Sequence, residues 1–347
     1  MTARQGTTSA IVWAMPEQVA MLAGVFVDAG IQVVGAGSPV PAQSGTVAGG
    51  FDCGVQDDLR RVMHSESPDL ILIAAAGSFG QRELDDDLGA LQAAHARGIA
   101  VASMEPIPGE ATVISGTGWT DAIHAGSFGE FVRVAPMIRR GRLIDELMST
   151  LETFGMIRSM NLTIGAPAVF GSLGARMFDA MDLVRTLVGV PETIDASYQC
   201  GSLGNGLHQL PGQSLRDLHG ILCAHLRMVD GRGMVLQVSD QFGRSSVQLS
   251  LIGGEGEIRL NDSGFERFDA SGTVIDSCAL DLDSTSEHDP SRVRLTEQLI
   301  ALCSGVGPVR SPVDHASVLA MGHSALLSAR TGQGETPETI RRLLMEA

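Results

Sequence analysis

Short runs of aliphatic and β-branched residues alternate with amphipathic runs through the first third of the chain. Ser9 to Met15, SAIVWAM, is apolar over the length of a strand. The following PEQVAMLAGVFVDAG places Val19, Leu22, Ala23, Phe26 and Val27 on one helical face, with Pro16 suited to the first turn and Gly30 to the C-cap. Ile31 to Gly37 reads as the next strand, SPVPAQSG as a turn-rich loop and DDLRRVMHS as a short helix. Asp69 to Gly77 then reads as a fully buried strand, Arg82 to Arg97 as a helix stopped by Gly98, and Ile99 to Met104 as a further strand. This alternation predicts an α/β fold with an N-terminal Rossmann-type doubly wound parallel sheet, whose ligand crevice lies beyond the C-terminal ends of its strands. Glu105 and Pro106 fall at that edge.

The pattern changes near Gly129. RLIDELMSTLETFG is helical, MIRSMNLTIGA strand-like, and Gly174 to Gly189 a helix with Met177, Met181, Val184 and Leu187 or Val188 on its apolar side. Gly220 to Leu282 contains several strands broken by VDGRG, QFGRSS, GGEGE, NDSG and DASGT, and two helices follow. The expected second domain is therefore α+β, with a large, mostly antiparallel, open-faced sheet. Residues 1–125 and 126–347 are the expected domains. Helices gathered on one face leave the other needing a cover, so a homo- or hetero-oligomer is expected through the sheet face.

Composition narrows the function classes. A chain of 347 residues with 44% hydrophobic and 18% charged residues suits two globular domains. The net charge of -16 argues against nucleic acid, because only RRGR at Arg139 to Arg142 resembles a basic cluster, and that reads as a solvated helix end. No run of apolar residues suggests a membrane span, MTARQGTTSA lacks a signal pattern, and a cytoplasmic location is expected. Five scattered cysteines indicate neither a disulfide framework nor a zinc knuckle, and no metal site is expected. All 24 basic residues are arginine, so no lysine amine is available as acid, base or Schiff-base former.

A dinucleotide site would place G-x-G-x-x-G at the first strand-to-helix turn, where backbone amides and the helix N-terminus meet the pyrophosphate. Trp13, Ala14, Met15, Pro16 and Glu17 stand there instead, and the carboxylate of Glu17 would compete with phosphate for the helix end. Gly37 and Ser38 occupy the place of the acid that would hold an adenosine ribose. No cofactor is expected on these grounds.

LQAAHARGIAVASMEP, DLVRTLVGVPETIDA and SALLSARTGQGE, supported by MVDGRG and IGGEGEIRL, occur in an order and spacing that resemble the Gfo/Idh/MocA family of NAD(P)-dependent sugar and polyol dehydrogenases. The resemblance runs nearly end to end. It implies a Glu-Lys-Pro motif, in which Glu105 is retained while Pro106 takes the lysine position. It also implies an aspartate and, one turn later, a proton-exchanging histidine, where Ala175 and Asp179 stand; Asp182 matches a following, structural aspartate.

Three readings follow from these departures. The first is a catalytically degenerate binding or regulatory subunit for a sugar-like ligand or an active paralogue. The second is an NAD(P)-dependent sugar or polyol oxidoreductase with a remodelled site using Glu105 and Asp179, and the third is non-redox carbohydrate chemistry run by the same two carboxylates. Pro106, Trp119, His124, Arg176 and Asp182 are expected to line the pocket. More ordinary readings stand beside these: an Arg176–Asp179 pair at i, i+3, a capping or bridging Asp182, and a packing role for Trp119. His219, Cys223 and His225 have a metal-like spacing without a fourth ligand, which favours packing. The resemblance implies that one of the two X-Pro bonds of EPIP is cis.

Overall fold

The computed structural model describes residues 7–81, 86–109, 119–124, 128–200, 210–212, 214–280, 288–305 and 312–346. The first domain is a six-stranded parallel sheet in the order β3-β2-β1-β4-β5-β6, formed by β1 (Ser9–Trp13), β2 (Gln32–Gly37), β3 (Gly54–Gln56), β4 (Leu70–Ile73), β5 (Ala100–Ser103) and β6 (Arg133–Val134). All four residues of β4 are buried, as a central strand covered on both faces requires. Helices α1 (Val19–Ala29), α2 (Ser44–Phe51), α3 (Leu59–Ser65) and α4 (Asp87–Ala96) cover the sheet. Gly30 ends α1 in the left-handed region, and Asp58 and Asp86 cap α3 and α4 through their carboxylates. Because β1 leads outward to β2 and β3 while β4 starts the other half, the topological switch point lies between β1 and β4.

Two local expectations need correction. The buried face of α1 is Leu22, Val25 and Phe26, while Val27 points to solvent. The loop expected at SPVPAQSG turns into α2, whose three glycines masked its helical period.

After two short helices, α5 (Trp119–His124) and α6 (Phe128–Phe131), the chain enters the second domain through α7 (Arg142–Leu151). Its sheet has eight strands in the order β14-β13-β12-β11-β7-β10-β9-β8. They are β7 (Ile157–Pro167), β8 (Thr193–Cys200), β9 (Gly220–Arg227), β10 (Gly233–Ser239), β11 (Gln241–Gly253), β12 (Gly256–Asn261), β13 (Gly264–Phe268) and β14 (Val274–Ala279). Only the central β7–β10 pair is parallel; the other pairings are antiparallel. Strict alternation of buried and exposed residues along β9 marks one packed and one open face.

The packed face carries α8 (Leu173–Val188) and α10 (His315–Thr331). Helix α8 is buried on nearly every side, including Arg176, Asp179 and Asp182, so its charges must be compensated within the protein. Helix α9 (Pro290–Ser304) returns to the first domain, where Arg292 pairs with Asp28 at 2.7 Å, and α11 (Pro337–Glu346) adds a third helix to the two expected in the tail. None of the described helices is long and apolar enough to cross a membrane.

Candidate functional site

Glu105 follows β5 at the C-terminal edge of the first sheet, and Ser172 precedes α8 in the second domain. The backbone N–H of Ser172 donates to Glu105 Oε1 at 2.7 Å and its hydroxyl donates to Oε2 at 2.6 Å. Ser172 Oγ in turn accepts from Ala175 N at 3.3 Å, so it caps α8 while clamping Glu105. Both carboxylate oxygens are thus occupied. Burial pushes the Glu105 carboxyl up, while the Ser172 bonds and the nearby Arg176 charge oppose the shift.

The buried guanidinium of Arg176 donates to the carbonyl of Phe170, and its pKa is lowered by burial against the opposing charges of Asp179, Glu105 and Asp240. Asp179 accepts from Ile138 N at 2.8 Å instead of pairing directly with Arg176, and burial pushes it up to about 6. Asp182 forms a buried ion pair with Arg139 and is also raised by burial. Arg139 therefore belongs to the interior, against the expectation of a solvated RRGR helix end. Glu105, Arg176, Asp179 and Asp182 share one buried polar layer along α8.

The other expected lining residues are placed differently. Pro106 is buried, and the cis bonds among the described residues are Ile107–Pro108 and Ala135–Pro136. Trp119, 2% exposed, packs edge-on against Phe128 at 5.6 Å, which in turn meets His315 edge-on at 4.8 Å. The side chain of His124 lies outside the described residues. No group of three or more His, Cys, Asp or Glu arranged to hold a metal occurs among the described residues.

A loop from the second domain fills the space between the domains. The Arg216 guanidinium is buried and donates to the carbonyls of Phe79 and Gly77, both in the loop after β4. Leu215 N donates to Gly109 O at 2.8 Å, and Leu173 N donates to Leu218 O at 2.9 Å. The loop passes so close to α8 that a Cβ on Gly174 would stand 1.2 Å from Leu215 O, a spacing only glycine permits.

The dinucleotide edge is filled as well. Gln18 is buried at the switch point, where Oε1 accepts from Met15 N at 3.0 Å and Nε2 donates to Ala74 O at 3.2 Å and Val169 O at 3.4 Å. One amide therefore ties the end of β1 to the end of β4 and to the second domain. Beyond β2, Ser38 is buried with its hydroxyl accepting from Val40 N, and Pro39 packs on Gly77, where a Cβ would come within 2.3 Å. Glu17 is exposed in a three-residue 3-10 turn that precedes α1. The residues at Trp13 to Glu17 and at Ser38 do not fit a dinucleotide: the amides and space that pyrophosphate and ribose would use are taken by this chain's own side chains.

One pair was not legible as a unit in the sequence. His219 Nδ1 lies 2.6 Å from the buried Asp240, whose second oxygen accepts from Gly220 N at 2.8 Å, while the imidazole is 62% exposed. Cys223 and His225 are exposed on β9, and these side chains do not gather with His219 into a metal-holding group. Only the placement of β9 beside the β10–β11 turn joins residues 219 and 240.

No protein-family model matches the sequence, and no curated protein does. Solved structures match in fold. An oxidoreductase from Agrobacterium radiobacter in complex with NAD+, L-tartaric acid and magnesium aligns with a TM-score of 0.63 at 15% identity, covering 96% of this chain and 100% of that one. Levoglucosan dehydrogenase with NADH and levoglucosan gives 0.61 at 15% identity over 95% and 98% of the two chains. UDP-N-acetylglucosamine 3-dehydrogenase from Acidithiobacillus ferrooxidans gives 0.60 at 13% identity over 94% and 99%. The chain has the two-domain fold of these Gfo/Idh/MocA-type oxidoreductases.

Proposed function

We propose that this protein is a cofactor-free member of the oxidoreductase fold, serving as a binding or regulatory subunit for an active relative or a sugar-like ligand. The observation that carries this reading is the double closure of the crevice, by Gln18 at the switch point and by Arg216 between the domains. Redox chemistry needs a bound nicotinamide and a group able to take a proton from the alcohol. Glu105 is committed to Ser172 and Asp179 to Ile138, which leaves neither as a ready base.

The open sheet face supports a partner role. Its central strands present the uncharged Asn161, Thr163 and Gln248 beside the exposed Val235, and the Glu257–Arg259 pair stands on the neighbouring β12. Depletion of charge in the middle of a patch is the mark of an interface. Val235→Arg is expected to release the partner or the second copy, read as a drop in mass by light scattering.

A second reading draws on His219. With Nδ1–H directed at buried Asp240, the exposed Nε2 can exchange a proton with a bound ligand, the arrangement that non-redox acid–base chemistry uses.

Calorimetric titration with NAD, NADH, NADP and NADPH tests the first reading. No heat up to millimolar ligand is expected, whereas micromolar binding would overturn the reading in favour of a dehydrogenase with a rearranged loop.

A further inference from the structure

We propose that His219 and Asp240 form a nucleophilic dyad for the hydrolysis of activated esters, a proposal that rests on the second reading above and gives its ligand a chemical class. Asp240 lies between β10 and β11 and is buried. Its Oδ1 accepts from Gly220 N at 2.8 Å, which turns Oδ2 toward His219 Nδ1 at 2.6 Å. An ionised carboxylate only accepts, so the imidazole carries its proton on Nδ1 and keeps the lone pair of Nε2.

The histidine is held through its backbone as well. The Tyr198 hydroxyl, on the neighbouring β8, donates to the carbonyl of His219 at 2.9 Å. The ring itself stays open: it is largely exposed, and Nε2 makes no hydrogen bond to any described residue. A nitrogen lone pair facing solvent, with a buried carboxylate fixed behind the ring, is set up to attack a carbon and to bear the cation that results.

Acyl transfer is the chemistry such a pair suits. Phosphoryl transfer relies on cations around the moving group and glycoside hydrolysis on two carboxylates across the bond, whereas an acyl carbon needs a nucleophile and a counter-charge. Nε2 attacks the ester carbonyl carbon, the C–O bond to the leaving group breaks, and that oxygen departs with the electron pair. The N-acylimidazolium so formed is stabilised by Asp240 through Nδ1–H. Water then adds to the acyl carbon, the C–N bond breaks, and the carboxylic acid leaves with the ring restored. One ester and one water give one acid and one alcohol. The pair offers no donor to the developing oxyanion, so the leaving group must be a good one, as in an aryl ester.

The full chain would be assayed with 4-nitrophenyl acetate, following release of 4-nitrophenolate. His219→Gln, whose amide can still donate to Asp240, is expected to lower the second-order rate constant at least about tenfold. Asp240 is a positioning residue. Asp240→Asn keeps an acceptor for Gly220 N but turns an amide N–H toward Nδ1, which moves the ring proton to Nε2 and is expected to cost a similar factor with His219 still present. Heteronuclear NMR of the His219 ring reads that change directly, as Nδ1–H in the parent and Nε2–H in the variant. No turnover by the parent above buffer, or turnover unchanged by His219→Gln, would overturn the proposal and leave the acid–base reading standing. A parent ring protonated on Nε2 would overturn both.

Discussion

Glu105→Ala is expected to lower the free energy of unfolding by about 3 kcal/mol, whereas Glu105→Gln is expected to change it by less than about 1 kcal/mol. In the parent, the carboxylate takes two hydrogen bonds from Ser172, one from the backbone and one from the hydroxyl. Alanine leaves a buried N–H and O–H without acceptors at the point where the two domains meet, and opens a small void. Glutamine keeps an acceptor for Ser172 N and offers its amide to Ser172 Oγ. It also removes a charge whose burial raises the Glu105 pKa, so the lost charge-assisted bond is offset by relieved desolvation. Urea unfolding of both variants measures this. Glutamine as damaging as alanine would mean that the charge itself is required, and would return Glu105 to the list of acid–base candidates.

Much of this architecture was legible because it rests on local rules. Continuous apolar runs such as LILI at Leu70–Ile73 signal covered parallel strands, and Gly30 marks a helix end through its left-handed conformation. The alternation along β9 likewise announces a sheet with one open face. The empty glycine fingerprint at Trp13 to Glu17 was readable too, since absence of a motif needs no tertiary information.

What fills the crevice was not readable. Gln18 looks like any polar residue in a first turn, yet Ala74 and Val169, far away in the chain, supply its partners. Arg216 sits in an unremarkable loop and becomes an interdomain plug only because Gly174 lets that loop approach α8. The i, i+3 spacing of Arg176 and Asp179 suggests a direct pair, but burial of the whole helix gives each a backbone partner instead. Helix α2 escaped because its glycines lower local propensity, which packing against the first sheet overrides.

Acid titration should separate two buried groups of opposite sense. Burial lowers His323 to about 4 from 6.5, and its Nε2 has no hydrogen-bond partner. The folded state therefore prefers the neutral ring. The stability it contributes is complete above pH 6.5 and is lost as pH falls toward 4, by about 3 kcal/mol for a shift of this size. Asp179 behaves inversely, because its folded pKa of about 6 stands above the ordinary 3.8. Its contribution is complete below pH 3.8 and is lost as pH rises through 6, by about 3 kcal/mol. His323→Leu should accordingly gain about 3 kcal/mol on the parent between pH 7 and pH 4. Asp179→Asn, which keeps an acceptor for Ile138 N, should fall relative to the parent by about 2 kcal/mol over the same interval. His315, also lowered to about 4, and Glu105, also raised by burial, titrate equally in parent and variant and cancel from each difference. Urea midpoints at four pH values read both slopes. A difference for Asp179→Asn that does not change with pH would show that Arg176 holds the carboxylate ionised throughout, and the polar layer along α8 would then be a fixed ion cluster and not a proton-binding one.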